Sequence, residues 1–218
     1  MSPPSTLAVH RRRFVRAGAG LSLLVAAPSL VRAETLVPTP AQTEGPFYPV
    51  AMPADSDSDL VTVRGAPAAA RGVVTYVSGR VRDTSGRLLA GAQVQIWQCD
   101  VHGIYDHPGE GRERARRDAG FQGFGQTTTG ADGSWRFRTI RPVAYAGRTP
   151  HIHFRIVAAD GRRLTTQMYV AGETGNERDG VLRAIRDERQ RQNVIVSLSP
   201  SGGPEPGALS GTFEIVLA

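Results

Sequence analysis

The 218-residue chain contains no lysine and a single cysteine, and the shortage of cysteine excludes two classes of structure. One thiol, Cys99, cannot close a disulfide within its own chain, and a zinc site with four cysteine ligands is excluded for the same reason. Disorder of the whole chain is not expected, because 40% of the residues are hydrophobic and the Val, Ile, Leu and Phe positions are periodic. The length suits one domain with an apolar core.

Acidic residues are absent from the first 33 positions, and this absence explains most of the formal net charge of +6. Five of the 26 basic residues, all of them arginines, lie in that segment. Without it, 21 arginines face 20 acidic residues. The rest of the chain is therefore nearly neutral, with no basic stripe that would bind nucleic acid.

Residues 1–33 have the three parts of an export signal: a charged HRRRFVR stretch, the apolar run AGAGLSLLVAAPSLV, and small residues up to Ala33. The apolar run is short and is interrupted by Pro28, so no stable membrane span is expected. The pair Arg11-Arg12 resembles the bacterial twin-arginine signal, which predicts a periplasmic or secreted protein cleaved after Ala33. A buried N-terminal helix is the alternative interpretation.

The chain after this segment divides into an arm and a β-rich core. Residues 34–72 are rich in Pro, Ala, Asp and Ser without a sustained period, which predicts an extended arm. Over residues 73–218, short stretches of alternating apolar and polar residues are separated by turn signals. The predicted strands are 73–83, 92–98, 134–140, 151–158, 164–170, 193–198 and 211–217. Seven short strands indicate an all-β protein, a β-sandwich.

Helical periodicity is found only at residues 177–190, where Val181, Leu182 and Ile185 form one apolar stripe, so at most one short helix is expected. Residues 106–125 are too polar and glycine-rich for a strand and are predicted to be a long loop. Long loops in compact domains often carry function.

A pair of histidines begins one of the predicted strands. His151 and His153 are two residues apart, which puts both imidazoles on the same face of a strand. Two adjacent imidazoles make half of a metal site. The spacing alone is weak, because ordinary surface and core histidines also show it. Tyr105 and Tyr145 are likewise more typical of packing when each is taken alone.

Several motifs occur together in one order: TEGPFYP at 43–49, WQCDVHGIY ending at Tyr105, Tyr145 and Arg148 ahead of HIHF, and TQMY at 166–169. In this combination the chain resembles the intradiol ring-cleaving catechol dioxygenases, in particular the protocatechuate 3,4-dioxygenase-like branch. The resemblance covers roughly residues 43–170. It implies a prealbumin-like β-sandwich with long active-site loops.

The resemblance also implies a non-haem Fe(III) ion bound by Tyr105, Tyr145, His151 and His153. A phenol has a pKa of about 10 in water, but a trivalent cation strongly favours the phenolate. The implied substrates are dioxygen and a small aromatic diol of the catechol type. The ring would open between its two hydroxyl-bearing carbons to a cis,cis-muconate-type product that keeps both oxygen atoms.

Further roles are implied for residues near the four ligands. Tyr145 would leave the metal and accept a substrate proton, Arg148 would stabilise negative charge on the ring, and Gln167 would hydrogen-bond the substrate. In multimeric relatives the N-terminal arm can come from a partner subunit, so a homo-oligomer is possible. The arm residues that would border the substrate pocket are Gly45, Pro46 and Tyr48.

The chain departs from the family pattern in three places. The loop between Tyr145 and His151 is several residues shorter than in the well-known protocatechuate enzymes and lacks their tryptophan-containing stretch. The helical dimerisation domain of catechol 1,2-dioxygenases is missing. His102 and His107 lie beside Tyr105 but match no ligand position. The identity of the diol therefore stays open.

Two other functions are compatible with parts of the sequence. The segment from Val77 to Val94 looks like the first hairpin of prealbumin-like and carboxypeptidase-regulatory domains, which bind or connect without chemistry. That pattern is shared by the dioxygenase core, so it does not distinguish the two. The second alternative is an exported protein that binds copper or zinc.

Overall fold

The computed structural model describes residues 35–203 and 205–218 of the chain. These residues form ten β-strands and two short α-helices. The predicted export signal lies outside these residues and stays a prediction. The strands are β1 (Val74–Asp83), β2 (Gln93–Trp97), β3 (Phe124–Thr128), β4 (Ser134–Ile140), β5 (His151–Val157), β6 (Arg163–Val170), β7 (Ile195–Val196), β8 (Ser199–Pro200), β9 (Leu209–Thr212) and β10 (Ile215–Leu217); the helices are α1 (Gly180–Arg183) and α2 (Glu188–Asn193).

The strands form two mixed sheets, which confirms the predicted β-sandwich. In the first sheet, β1 pairs antiparallel with β4 and parallel with both β9 and β10, while β8 pairs with β9. The second sheet has the order β3-β2-β5-β6-β7. β5 is therefore a central strand with a neighbour on each side.

The core lies between the sheets and is built by alternate residues of the strands. On β5 these are Ile152, Phe154 and Ile156, which pack in one cluster with Phe137 of β4 and Phe213. All five side chains are at most 1% exposed. Burying one large apolar side chain contributes about 1.5–3 kcal/mol, so this layer supplies much of the stability of the fold.

The other face of β5 carries the two histidines, because side chains alternate across a strand. His151 and His153 are each 1% exposed, although this is the outer face of the sandwich. They are buried because the N-terminal arm and the loops around β5 cover this face.

Gly79 of β1 permits the close approach of two backbones in the first sheet. A Cβ at Gly79 of β1 would lie 1.9 Å from the carbonyl oxygen of Phe213, between β9 and β10. Beside it, Phe213 N donates to Ser78 O at 2.8 Å. Any side chain at position 79 would force these backbones apart, so the residue must be glycine.

The arm is extended, with no regular strand over residues 35–72. Its backbone is held at intervals: Thr39 N donates to Val216 O at 2.9 Å, and Gln42 N donates to Thr165 O of β6 at 2.8 Å. The second contact brings the following residues onto the outer face of the second sheet, where they meet the histidines of β5.

The prediction of one helix over residues 177–190 is wrong. The structure has two α-helices in this region, α1 and α2, preceded by a 3-10 helix at Thr174–Glu177. Asp187 interrupts the predicted helix because its backbone is extended and because it is the N-cap of α2. Its side chain accepts a hydrogen bond from Gln190 N at 3.0 Å. The expectation of at most one short helix is therefore wrong in number. Among the described residues, no helix is long and apolar enough to cross a membrane.

The predicted loop at 106–125 is also more ordered than expected. It contains a 3-10 helix at Pro108–Arg116 and runs into β3, a strand that the polar FGQTT sequence did not indicate. β3 forms because its backbone pairs with β2, a contact between distant parts of the chain. Near the C-terminus, the strand predicted at 211–217 is divided into β9 and β10.

Candidate active site

The structure brings the four predicted metal ligands into one cluster. The hydroxyl oxygens of Tyr105 and Tyr145 are 3.3 Å apart, and Tyr145 Oη is 3.5 Å from His151 Nε2. The Nε2 atoms of His151 and His153 are 3.2 Å apart. Two phenol oxygens and two imidazole nitrogens therefore converge, although 48 positions separate the outermost residues in the sequence.

Three separate elements position these side chains. β5 presents the two imidazoles side by side. Tyr105 lies in the loop that follows β2, where its backbone N donates to Glu110 Oε1 at 3.0 Å. Tyr145 stands on a tight turn in which Arg148 N donates to Tyr145 O at 2.7 Å and the next residue, Ala146, has a φ of 43°. Such a left-handed backbone is costly for alanine and indicates a turn held by its surroundings.

The orientation of each imidazole is set by contacts behind it. His151 Nδ1 lies 2.6 Å from Thr149 O, so this nitrogen carries the hydrogen and donates it. Nε2 then has a lone pair directed at the cluster. The ring of His153 stacks on Trp97, with centroids 4.9 Å apart and planes 10° apart. His153 Nδ1 is buried and makes no hydrogen bond within the described residues.

The spacing of the donor atoms suits a metal ion. The Nε2 atoms of His151 and His153 are 3.2 Å apart, and a cation bound between them would take a lone pair from each ring. Neighbouring ligands on one ion, each with a bond of about 2.1 Å, stand about 3 Å apart. No group of three His, Cys, Asp or Glu side chains suited to a metal occurs in the described ranges, so the phenols are the feature that distinguishes this donor set.

Burial controls the protonation of the four donors when no cation is present. It raises the pKa of Tyr105 well above the ordinary value for a phenol, and it also raises the pKa of Tyr145. Burial, together with the positive charge of Arg148, lowers the pKa of His151 to about 4. The pKa of His153 is lowered well below its ordinary value, by burial and by the neighbouring His151. Both imidazoles are therefore neutral ligands at neutral pH, and the phenols need a cation to ionise.

An aromatic shell surrounds the donors, and sequence reasoning gave no role to its main members. Phe47 stacks on Tyr105 with centroids 4.5 Å apart and planes 17° apart, and Trp97 backs His153. Both residues belong to the quoted motifs, which was the only signal that pointed to them. Cys99 is buried in the same shell, and burial raises its pKa to about 12, so it is a neutral thiol.

Arg148 and Gln167 lie against this cluster and bind one another. Arg148 Nη2 donates to Gln167 Oε1 at 2.7 Å, and Tyr169 Oη donates to the same oxygen at 3.0 Å. Gln167 Nε2 donates to Thr43 O of the arm at 3.0 Å. The amide of Gln167 is thus used by protein partners at both ends, so it positions Arg148 and the arm.

Asp179 is the second partner of Arg148, and the sequence did not single it out. Arg148 Nε donates to Asp179 Oδ2 at 2.7 Å. Burial raises the pKa of Asp179, but the hydrogen bonds from Arg148 and from backbone N–H groups outweigh it and leave the pKa below its ordinary value. Burial similarly opposes the charge of Arg148, and the contact with Asp179 leaves the pKa of Arg148 raised. Both side chains are therefore charged.

The arm residues expected at the substrate pocket have different positions. The backbone of Gly45, with a φ of 71°, passes over His153, and a Cβ there would lie 3.3 Å from His153 Cε1. Pro46 is exposed in the adjoining turn. Tyr48 points along the sheet, where its hydroxyl donates to Gln95 Oε1 at 2.9 Å and the Arg155 guanidinium covers its ring. Gly45 therefore contacts a donor residue, and the role of all three residues at a substrate pocket stays a prediction.

His102 and His107 stay outside the donor cluster. His102 is exposed, and its backbone N donates to Asp100 Oδ1 at 2.8 Å. His107 caps the 3-10 helix at Pro108–Arg116, with its Nδ1 accepting from Gly109 N at 2.9 Å. Its ring meets the edge of Phe47, so it supports the aromatic shell.

Several cavities lie along the outer face of the second sheet. One of about 560 Å³ is lined by the turn at 144–150, which carries Tyr145 and Arg148, and by residues 173–175. A small one of about 30 Å³ is lined by Tyr105, Phe47 and Trp97. Two others, of about 910 and 420 Å³, are lined by none of the four donors, and Tyr48 lines the second of them. The first two cavities therefore adjoin the donor cluster.

The sequence of the chain has relatives among known proteins. A family model described as dioxygenase matches residues 43–218. A protocatechuate 3,4-dioxygenase beta chain from Burkholderia cepacia is 36% identical over 174 residues, which cover 76% of this chain and 72% of that protein. A hydroxyquinol 1,2-dioxygenase from Nocardioides simplex is 28% identical, and the match covers 83% of this chain and 64% of that protein. The chain is therefore a dioxygenase by class.

Solved structures agree with this class. The dioxygenase domain of a dioxygenase and carbohydrate-binding protein fusion from Streptomyces sp. SirexAA-E superposes with a TM-score of 0.62 at 34% identity, covering 83% of this chain and 98% of that chain. An intradiol ring-cleavage dioxygenase from Tetranychus urticae has a TM-score of 0.65 at 21% identity, which shows the shared fold. The chain belongs to the intradiol ring-cleaving dioxygenase family, so it is an enzyme and not a binding module.

Proposed function

We propose that the chain is a non-haem Fe(III) dioxygenase that opens the ring of a catechol-type diol between its hydroxyl-bearing carbons. The product would be a cis,cis-muconate-type diacid containing both atoms of dioxygen. The observation that carries this proposal is the convergence of Tyr105, Tyr145, His151 and His153, whose donor atoms follow one another at 3.2 to 3.5 Å. Phenolates are hard anionic ligands that favour iron in its ferric state.

A bound ferric ion would withdraw electron density from a catecholate and so make the ring reactive towards dioxygen. The protein supplies the rest of the chemistry. Its two imidazoles stay neutral and keep their orientation through Thr149 and Trp97. Tyr105 is 2% exposed, whereas Tyr145 is only partly buried and lies on a turn. Tyr145 is thus the phenol with room to move away and hold a proton taken from a substrate hydroxyl.

Arg148 supplies a fixed positive charge beside the donors. Its guanidinium is held by Asp179 and Gln167, and it lines the cavity that also reaches Tyr145. A preorganised cation in a buried site stabilises negative charge as it develops on the ring, without the cost of reorienting solvent. Gln167 contributes by holding Arg148, since its own amide is already bonded.

The test begins with the isolated protein, its iron content and its colour. Ferric phenolate coordination gives a red to burgundy protein, whereas zinc or an empty site is colourless. Anaerobic titration with a panel of diols, followed by dioxygen, identifies which diol changes the visible band and is cleaved. Tyr145→Phe is expected to keep iron, shift the band and slow turnover. A protein that holds zinc or copper in place of iron and cleaves no diol overturns the proposal.

Arg148→Ala tests the charge separately from the metal. Iron content and colour are expected to persist, because the four donors are unchanged, while kcat falls by about a hundredfold or more. Undiminished turnover would refute the role of Arg148 and leave the metal assignment intact.

We also propose that the protein is exported through a twin-arginine-type signal, on the support of Arg11-Arg12 and the apolar run after them. A reporter fused to residues 1–40 is expected to leave the bacterial cytoplasm. Replacing both arginines by lysine should keep it inside, and export that persists would argue against this route.

A further inference from the structure

The side chain of Asp179 is completely buried and uses its two oxygens for different purposes. Oδ1 accepts from Val181 N and Leu182 N, both at 3.0 Å, and so caps helix α1. Oδ2 accepts from Arg148 Nε at 2.7 Å and from Thr149 N at 3.1 Å, both in the segment that leads into β5. One carboxylate therefore joins a helix to the residues just ahead of the histidine pair.

The contact with Oδ2 determines how the guanidinium of Arg148 lies. A guanidinium is planar, so two hydrogen bonds at different nitrogens fix both its position and its plane. Asp179 holds Nε and Gln167 holds Nη2, each at 2.7 Å. Nη1 makes no hydrogen bond within residues 35–203 and 205–218, which leaves it available to a ligand.

The contact with Thr149 N fixes the backbone next to Arg148. Thr149 O in turn accepts from His151 Nδ1, but this bond runs between residues of the same segment and does not need Asp179. Loss of Asp179 should therefore disturb Arg148 before it disturbs the four donors.

We propose that Asp179 is a positioning residue for ring cleavage, acting through Arg148: its Oδ2 holds the guanidinium where it can stabilise negative charge. This inference rests on the proposed function, because it assigns Asp179 to the same reaction. The ion pair with Arg148 distinguishes Asp179 from an ordinary helix cap. Asp187 caps α2 through one oxygen as Asp179 caps α1, yet it is exposed and forms no ion pair within the described residues.

Because the two oxygens of Asp179 have different partners, Asp179→Asn can keep the contact with α1 while it removes the contact with Arg148. An asparagine can still cap α1 with its oxygen. Its NH2 group then stands where Oδ2 stood and meets two donors, Arg148 Nε and Thr149 N, so the arginine is released. Asp179→Ser is a second variant, which caps α1 with its hydroxyl and leaves no group at Oδ2. Asp187→Asn is the matched control, since it makes the same change at the other helix cap.

The kinetic test compares kcat, KM, iron content and thermal midpoint across these variants. We expect Asp179→Asn to lower kcat about tenfold or more with iron per chain unchanged, because misplacing a group that assists the reaction is costly. Asp187→Asn should leave kcat unchanged. In an Arg148→Ala background, Asp179→Asn should cause no further loss in kcat, which shows that the two residues act as one unit. Losses that multiply, or an unchanged kcat in Asp179→Asn, would overturn the proposal.

A second readout does not depend on activity or on metal. In ¹⁵N-labelled, metal-free protein, the Nε–H signal of Arg148 is identified by its absence in Arg148→Ala. We expect it to exchange slowly with solvent in the wild type and in Asp187→Asn, and rapidly in Asp179→Asn. If the wild type cleaves no diol, the proposed function fails while this signal still reports on Asp179. An unaltered signal in Asp179→Asn contradicts the positioning role.

Discussion

The two faces of strand β5 are almost equally buried and have opposite chemical character. Ile152, Phe154 and Ile156 point into the sandwich, and His151 and His153 point away from it under the arm. Inward, the three β5 side chains are apolar and are held by packing. Outward, two phenol oxygens and two imidazole nitrogens follow one another at 3.2 to 3.5 Å. The outer face is therefore the side of β5 that is suited to a ligand.

The strongest test of this contrast is His153→Ala on the outer face. We expect loss of iron, colour and detectable turnover, because His153 is a fully buried donor held on a strand, unlike Tyr145 on its turn. The free energy of unfolding of the metal-free protein should also fall, though less than in a core variant, because a buried ring that stacks on Trp97 is lost. Metal analysis and denaturant unfolding measure the two effects. Retained iron with full activity would remove His153 from the site.

Phe154→Ala changes the neighbouring residue on the inner face. The side chain is fully buried and packs edge-on against Trp135 and Phe213, so its removal leaves a cavity. We expect the free energy of unfolding to fall by about 3–5 kcal/mol. The folded fraction should still bind one iron per chain. If the fraction that remains folded loses iron as completely as His153→Ala does, the two faces are not independent.

Phe47→Leu tests whether the arm is part of the site or only covers it. Phe47 stacks on Tyr105, and such an aromatic pair contributes about 0.5–1.5 kcal/mol beyond burial. We expect a loss of about that size in unfolding free energy and a shift of the visible band of the iron protein. Phe121→Leu, the same change in the core cluster, should lower stability without shifting the band. An unmoved band in Phe47→Leu would make the arm a simple cover.

Tyr48→Phe should have the smallest effect. Its hydroxyl is bonded to Gln95, so its removal should lower the unfolding free energy by about 0.5–1.5 kcal/mol. The KM for the cleaved diol should change less than about twofold, because the hydroxyl is away from the donor cluster. A KM several times higher would support the position at the substrate pocket that the resemblance implied for Tyr48.

Much of the architecture could be predicted because alternation leaves a local signal. The bounds of β1, β4, β5 and β6 differ from the predicted ranges by at most one residue at either end. β3 escaped prediction because its pairing with β2 comes from distant residues and its own sequence is polar. The single helix was a wrong expectation because Asp187 starts a new helix with its own cap. Local periodicity does not report such a break.

For the site, the motifs identified the donor residues but not the contacts that orient them. His151 and His153 could be placed on one face from their spacing alone. The roles of Thr149, Trp97 and Phe47 depend on backbone paths and ring stacking, which carry no signature in the sequence. Gln167 and Asp179 illustrate the same point: an ordinary-looking amide and carboxylate become the two holders of Arg148 only when β6 and α1 are brought beside β5.

By itself, the order of residues determined the strands in which apolar and polar residues alternate, the apolar face of each of these strands, and the side chains that are able to ligate a metal. These are properties of a few neighbouring residues, because side-chain direction follows from backbone geometry. The tertiary structure decided that Tyr105 and Tyr145, 40 positions apart, meet within hydrogen-bond distance and that an arm buries the outer face above the histidines. Those outcomes depend on long-range pairing and packing, whose free energy is shared by many contacts and is encoded in no single segment.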